Sequence, residues 1–207
     1  MRLQSSFEEK LNALTHGIGA VLGLIGLVLL IAFDTHKTTN SLFSVVVYGS
    51  SVLLLFTAST LYHSVTDDKR KYYFRILDHI SIYFLIAGTY TPVLVIILFD
   101  SLGWILLYIV WGIVAFGVVL KLFFTGKYEV FSSLLYLAMG WLIVFDFSEL
   151  SNKINEGTLF LIAGGVSYTI GILFYAIKRI PYNHVIWHLF VLMGALCHFL
   201  MIFYYVI

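Results

Sequence analysis

Seven apolar runs constrain this chain more than any other feature. They cover about 16–33, 41–62, 78–98, 103–120, 130–147, 158–177 and 185–206, each bounded by charged or turn-forming residues. Each approaches the ~20 residues that cross the hydrocarbon core of a bilayer as a helix. A barrel would need short alternating strands, and a backbone facing lipid must pair its own hydrogen bonds, so the runs read as helices. Of the 207 residues, 61% are hydrophobic and 11% charged, more apolar surface than a soluble domain of this length can bury. The expected fold is all-α: a polytopic membrane protein, one seven-transmembrane-helix bundle over residues 1–207.

Orientation follows from the basic residues. Arg2 and Lys10 precede the first run; Lys69, Arg70, Lys71 and Arg75 fall between the second and third. Lys121 and Lys127 lie between the fourth and fifth, and Lys178 and Arg179 between the sixth and seventh. Only Lys37 and Lys153 occupy the alternate loops, so ten of the twelve stand on one side. The positive-inside rule makes that side cytoplasmic, with the N-terminus inside and the C-terminus outside. The first run lacks a persuasive small-residue cleavage site and is expected to stay as a membrane helix, in a multi-pass resident of the cell membrane. A net charge of +1 without a basic patch gives no nucleic-acid partner. The single cysteine, Cys197, sits in an apolar run and excludes both a disulfide framework and a cysteine zinc site.

Small residues suit close helix contacts. Gly17, Gly19, Gly23 and Gly26 in the first span, and Gly164, Gly165 and Gly171 in the sixth, let backbones approach. Pro92, after Thr89, Tyr90 and Thr91, is expected to kink the third span, with hydroxyls available to the freed carbonyl.

The buried polar groups carry the chemistry. His184 and His188 open the last span four residues apart, which stacks two imidazoles one helical turn apart on one face. Imidazole is a good zinc ligand, and one turn matches the reach of two ligands to one ion. His63 ends the second span and Asp78 begins the third, both on the same side as His184 and His188. Ser59 is one turn before His63 on its face. Each has an ordinary explanation: His63 as an interfacial ring, Asp78 as a helix N-cap, His184 as a loop residue after Pro181. Jointly they point to a metal, because an ionisable group within a span costs about 3 kcal/mol and is functional by default. His198 is ten residues beyond His188, about 15 Å along the helix, too far for the same ion and expected to be packed or hydrogen-bonded. His79 points about 100° away from Asp78, His36 falls in an outside loop, and His16 with Asn12 one turn before it has two readings, a residue behind the metal ligands or, the favoured one, a helix-packing polar pair.

Ser59-Thr60-Leu61-Tyr62-His63, Leu77-Asp78-His79, and His184-Val185-Ile186-Trp187-His188 followed by His198 resemble the three motifs of the progestin and adipoQ receptor (PAQR) family. The segment from Glu9 through Asn12 and Thr15 to His16 and Gly17 is similar to its bacterial, hemolysin III-like branch. The resemblance covers nearly the whole chain. It implies seven helices with the N-terminus inside, and a zinc ion held by His63, His184 and His188 with Asp78 close by through a water. The wider superfamily includes alkaline ceramidases, which hydrolyse lipid amides. The resemblance does not extend to the long N-terminal region of the animal hormone receptors, so hormone binding and signalling are not carried over.

Three protein ligands leave a fourth zinc position for water, the pattern of catalytic sites. Asp78 is then expected to take the water's proton and Ser59 to orient Asp78, His63 or the substrate. The leading expectation is a zinc-dependent hydrolase of lipid amides or esters, with membrane lipid as substrate. Val185, Ile186 and Trp187 stand between the two histidines, so this is not an HExxH protease. Two alternatives are a non-enzymatic sensor or membrane-homeostasis protein with structural zinc, and a cytolytic protein as the family name implies. The sequence shows no wide polar stripe or cleavable signal that would support the latter.

Overall fold

The computed structural model describes residues 4–207. Arg2, counted above among the basic residues, lies outside the described residues. The elements are α1 (Ser6–Phe33), α2 (Ser41–Ser64), α3 (Asp68–Pro92), α4 (Gly103–Phe124), α5 (Glu129–Gly140), α6 (Phe147–Ile154), α7 (Gly157–Ala176) and α8 (Asn183–Met201). Among the described residues, seven helical segments are long and apolar enough to cross a membrane; the fifth is the whole of Glu129–Ile154. The protein is therefore an all-α, multi-pass membrane protein, as its composition requires.

Two helices start well before their apolar runs. α1 begins ten residues ahead of position 16, where Ser5 and Glu8 form a reciprocal capping box: Ser5 Oγ accepts from the Glu8 amide at 3.2 Å and Glu8 Oε2 from the Ser5 amide at 2.8 Å. Its buried face is a single stripe, Glu8, Asn12, His16, Gly19, Gly23, Gly26 and Leu30, at helical spacing. The opposite face, with Leu22, Ile25 and Val28 exposed, suits lipid. α3 begins at Asp68 behind an Asp67 cap, so Asp78 is well inside the helix and is not its N-cap.

The fifth span is not one helix. α5 ends at Gly140, a 3₁₀ segment covers Leu142–Asp146, and α6 completes the crossing. The Tyr90 hydroxyl bridges the break, donating to the Gly140 carbonyl and accepting from the Ile143 amide, each at 2.9 Å. Pro92 closes α3, and the chain continues as a π turn over Val93–Ile97. The neighbouring hydroxyls donate to carbonyls one turn back, Thr89 to Leu85 and Thr91 to Ala87. Neither serves the Gly88 carbonyl, which is the one proline frees.

The two basic residues on the minority side each close a helix end. Lys37 Nζ donates to the Val206 carbonyl at 3.0 Å, and Lys153 Nζ to the Ile97 carbonyl at 3.1 Å. Both carbonyls end π turns that extend α8 and α3. A cation at a helix C-terminus satisfies the orphan carbonyls and the dipole.

α3 is the most enclosed span and the main core gathers around its second half and the segment that follows it, with Tyr83, Ala87, Leu94 and Leu98 packed against residues of α4, α5 and α8. α1 lies at the edge, between α2 and α8. Gly19 permits that seat, since a Cβ there would come within 2.6 Å of Phe56 and 2.8 Å of Leu192. The close approach presses the turn before Gly19 onto the start of α8, and that contact builds the site.

Candidate metal centre

His63, on the last turn of α2, and His184 and His188, on the first turns of α8, present ligand nitrogens that all lie within 4.8 Å of one another. The His63 and His184 Nε2 atoms face each other at 3.2 Å. His63 and His188 are buried, at 4% and 2% exposure, and His184 is half-buried. His184 is a helix residue: Tyr182, in left-handed backbone with φ of 56°, ends the turn after Pro181, and α8 starts at Asn183.

Two of these rings, His63 and His188, are held from behind by α1. Glu9 Oε2 lies 2.7 Å from His63 Nδ1, and Lys71 Nζ donates to Glu9 Oε1 at 3.0 Å. A carboxylate only accepts, so Nδ1 of His63 carries the proton and a neutral His63 keeps a bare lone pair on Nε2. Thr15 Oγ1 is 3.3 Å from His188 Nδ1. His16 stacks on His188, with ring centroids 3.5 Å apart and planes 8° from parallel. The pair is therefore split: Asn12 donates to Gln4, whereas His16 takes the place behind the metal ligands that was its second reading.

This donor set fits a metal. Three imidazoles converge, and one has its outer nitrogen bound to a carboxylate, as metal-ligating histidines do. Zinc–nitrogen bonds of about 2.0–2.1 Å in a tetrahedron put two nitrogens about 3.3 Å apart. The 3.2 Å between His63 and His184 Nε2 matches that separation.

Asp78, 8% exposed, lies in Coulombic reach of His63. The Ser59 hydroxyl is buried near the Asp78 carboxylate but has no partner in full hydrogen-bond geometry. Asp78, Ser59, His184 and His188 all line a cavity of about 120 Å³. The cavity continues past Leu85 and Val191 to Tyr90 and Trp141, deep in the bundle. His198 lines its far end, outside the cluster, with Nε2 3.3 Å from the Leu161 carbonyl. His79 also lines the cavity, and its carbonyl accepts from the Tyr136 hydroxyl at 3.0 Å. Lys178, beside that end of the bundle, sits over the Tyr175 ring at 3.9 Å, and burial pushes its ammonium below the ordinary lysine range.

Glu9, Thr15 and Lys71 were not among the sequence-derived site residues. A signal existed: Ser5-x-x-Glu8 marks a helix start. With α1 begun there, Glu9, Asn12 and His16 fall at i, i+3 and i+7 on one face.

The family described as "Haemolysin-III related" matches residues 4–199. The chain is 44% identical to "Hemolysin-3" of Bacillus cereus over 202 residues, which covers 97% of this chain and 92% of that protein. It is 42% identical over 200 residues to the "Hemolysin-3 homolog" of Bacillus subtilis (strain 168), covering 96% and 94%. A more distant relative is the human "Monocyte to macrophage differentiation factor", 29% identical over 208 residues, covering 96% and 84%.

Proposed function

We propose, from the premise that the chain belongs to the haemolysin-III related family, that it is a zinc-dependent hydrolase of lipid amides or esters. Its site faces the cytoplasmic leaflet, on the positive-inside reading. The observation that carries this is the cavity, which joins two of the three clustered histidines, His184 and His188, with Asp78 and Ser59 to an apolar interior. A metal that only pinned helices would need no such space.

His63, His184 and His188 would hold the ion. When bound, zinc supplies Lewis-acid chemistry toward a carbonyl and toward water. Glu9 and Thr15 set the ring orientations of His63 and His188. Asp78 accepts the proton of the attacking water and returns it to the leaving heteroatom. Ser59 orients the Asp78 carboxylate once the site is filled. The apolar stretch from Leu85 to Trp141 takes an acyl chain and excludes bulk water from the reaction.

A second reading keeps the zinc and drops the turnover. The cluster ties α2 to α8, and Glu9 and Thr15 add α1, so the ion could act purely as a staple. Asp78→Asn separates the two. It preserves shape and removes a costly charge, so a stapled protein should tolerate it. A hydrolase should keep its zinc and fold while release of fatty acid from ceramides, phospholipids and acyl amides falls by about 10²-fold or more. Zinc-loaded wild-type protein that turns over none of that panel would favour the staple.

A further inference from the structure

The metal centre gathers where α2 ends and α8 begins. At the opposite end of the bundle, a groove of about 400 Å³ opens between α2 and α4, both of which pack on α3. Asn40, the residue before α2, lines it together with Phe43 and Val47, at i, i+3 and i+7. Trp104, Leu107 and Trp111 line it from α4 with the same spacing. Such spacing keeps each set on one helix face. Thr91 and Val95 line it from the end of α3 and the π turn that follows, and π turns recur at functional sites. The two sets run about 10 Å along their helices, at 1.5 Å per residue. The groove reaches the lipid-facing surface, where Phe43 and Trp104 are 67% and 42% exposed.

Two polar groups stand at the helix-start end of the groove. Asn40 holds the position where an asparagine ordinarily accepts a hydrogen bond from an amide of the first helical turn. Its side chain makes no capping bond, and none to any other described residue. Trp104, the second residue of α4, has an indole N–H with no partner among the described residues. Tryptophan favours the membrane interface because its ring suits hydrocarbon while its N–H meets the polar atoms of lipid. Two turns deeper no such donor is left. The Trp111 N–H donates to Thr91 Oγ1 at 3.2 Å, and that hydroxyl donates to the Ala87 carbonyl at 2.7 Å. The lining therefore passes from two unused donors to satisfied and apolar groups along the direction in which the helices cross the bilayer. No residue lining the groove is charged.

That sequence of groups complements a glycerolipid, in which ester carbonyls that only accept are followed by an alkyl chain. A neighbouring helix, about 10–12 Å across, would cover the groove rather than enter it, and its carbonyls are already bonded within the helix. We propose that the groove holds one ester-linked membrane lipid, with its carbonyl oxygens accepting from Asn40 Nδ2 and Trp104 Nε1 and one acyl chain lying between α2 and α4. On the positive-inside reading the lipid belongs to the outer leaflet. With no charge in the lining, the site reads the ester region and not the headgroup. It stands apart from the hydrolase reading, since it needs no metal and no turnover and shares no residue with the central cavity.

The test is photocrosslinking of full-length protein in liposomes. The probe is a trace of diester phosphatidylcholine with a diazirine in one acyl chain, and adducts are mapped by peptide mass spectrometry. The host bilayer is either diester phosphatidylcholine or its diether analogue, which lacks the carbonyls. Phe43, Val47, Leu107 and Trp111 should be labelled about fivefold or more strongly in the diether host, where the competing lipid cannot supply a carbonyl, the scale of one neutral hydrogen bond. Ile105 and Tyr108, exposed on α4 outside the groove, should be labelled equally in both hosts. Asn40→Ala combined with Trp104→Phe should bring the groove ratio to within about twofold without loss of fold, because Asn40 supplies no cap and the ring is kept. Leu107→Trp, which fills the groove, should lower its labelling in both hosts. Equal groove labelling in the two hosts overturns the proposal, as does a ratio that survives the double substitution. Groove residues that stay unlabelled in both hosts while Tyr108 is labelled also overturn it, and would point to a second copy of the chain as the cover.

Discussion

Glu9 offers the sharpest test of how α1 serves the metal centre. Its carboxylate makes two contacts of different kinds: 2.7 Å to His63 Nδ1 and 3.0 Å to Lys71 Nζ. The His63 side chain is fully buried, whereas Glu9 and Lys71 are 23% and 27% exposed. Glu9→Ala leaves a buried N–H without an acceptor and frees the ring to turn. Losing such an outer partner typically weakens metal binding 10–100-fold, which corresponds to about 1.4–2.8 kcal/mol. The Lys71 contact is partly exposed and is worth at most about 1 kcal/mol, so Lys71→Met should weaken zinc by no more than about fivefold. Glu9→Gln keeps an acceptor oxygen without the charge and should fall between them. Zinc affinity is read by competition with a chromophoric chelator, and cobalt substitution reports the ligand field by visible absorption. Wild-type affinity in Glu9→Ala would refute the ring-orienting role. An equal effect of Lys71→Met would show that the ion pair, and not the imidazole contact, is what matters.

Zinc should copurify at about one ion per chain on the three-histidine logic; His188→Ala should remove most of it and His198→Ala should not, as elemental analysis would show. A reporter fused after Ile207 should read as extracytoplasmic and one in the loop at Lys69 as cytoplasmic; a cytoplasmic C-terminus would refute the seven-span topology. Gly19→Leu drives a side chain into Phe56 and Leu192 and should cost about 1–3 kcal/mol, seen as a lower melting temperature in detergent. Gly112→Ala, with open space around it, is the control and should melt with the wild type or above it.

Several features were legible in the chain because they depend on local composition. Apolar length sets the number of crossings, since a membrane helix satisfies its backbone internally and needs only ~20 suitable residues. The one-turn spacing of His184 and His188 is a property of any helix. The isolation of His198 follows in the same way, and its bond to Leu161 agrees. Helix starts were less legible. Apolar runs mark where lipid begins, not where a helix begins, so they leave out the polar first turns of α1 and α3. The break at Gly140–Asp146 also left no clear trace, because it is held by Tyr90 from another helix.

By itself the sequence determined an all-α membrane bundle, a basic side and a set of polar residues too costly to be buried without purpose. Only the tertiary structure decided which of them meet. Glu9 reaches His63 across 54 positions of chain and Thr15 reaches His188 across 173, contacts that no periodicity encodes. Lys121 and His79 read as a basic loop residue and an off-face histidine until packing turned both into the cavity. The physical reason is that helical spacing determines a residue's face, whereas what that face meets depends on how neighbouring helices pack. Here that rests on close contacts such as Gly19 against Phe56 and Leu192, where a missing Cβ lets α1 settle between α2 and α8.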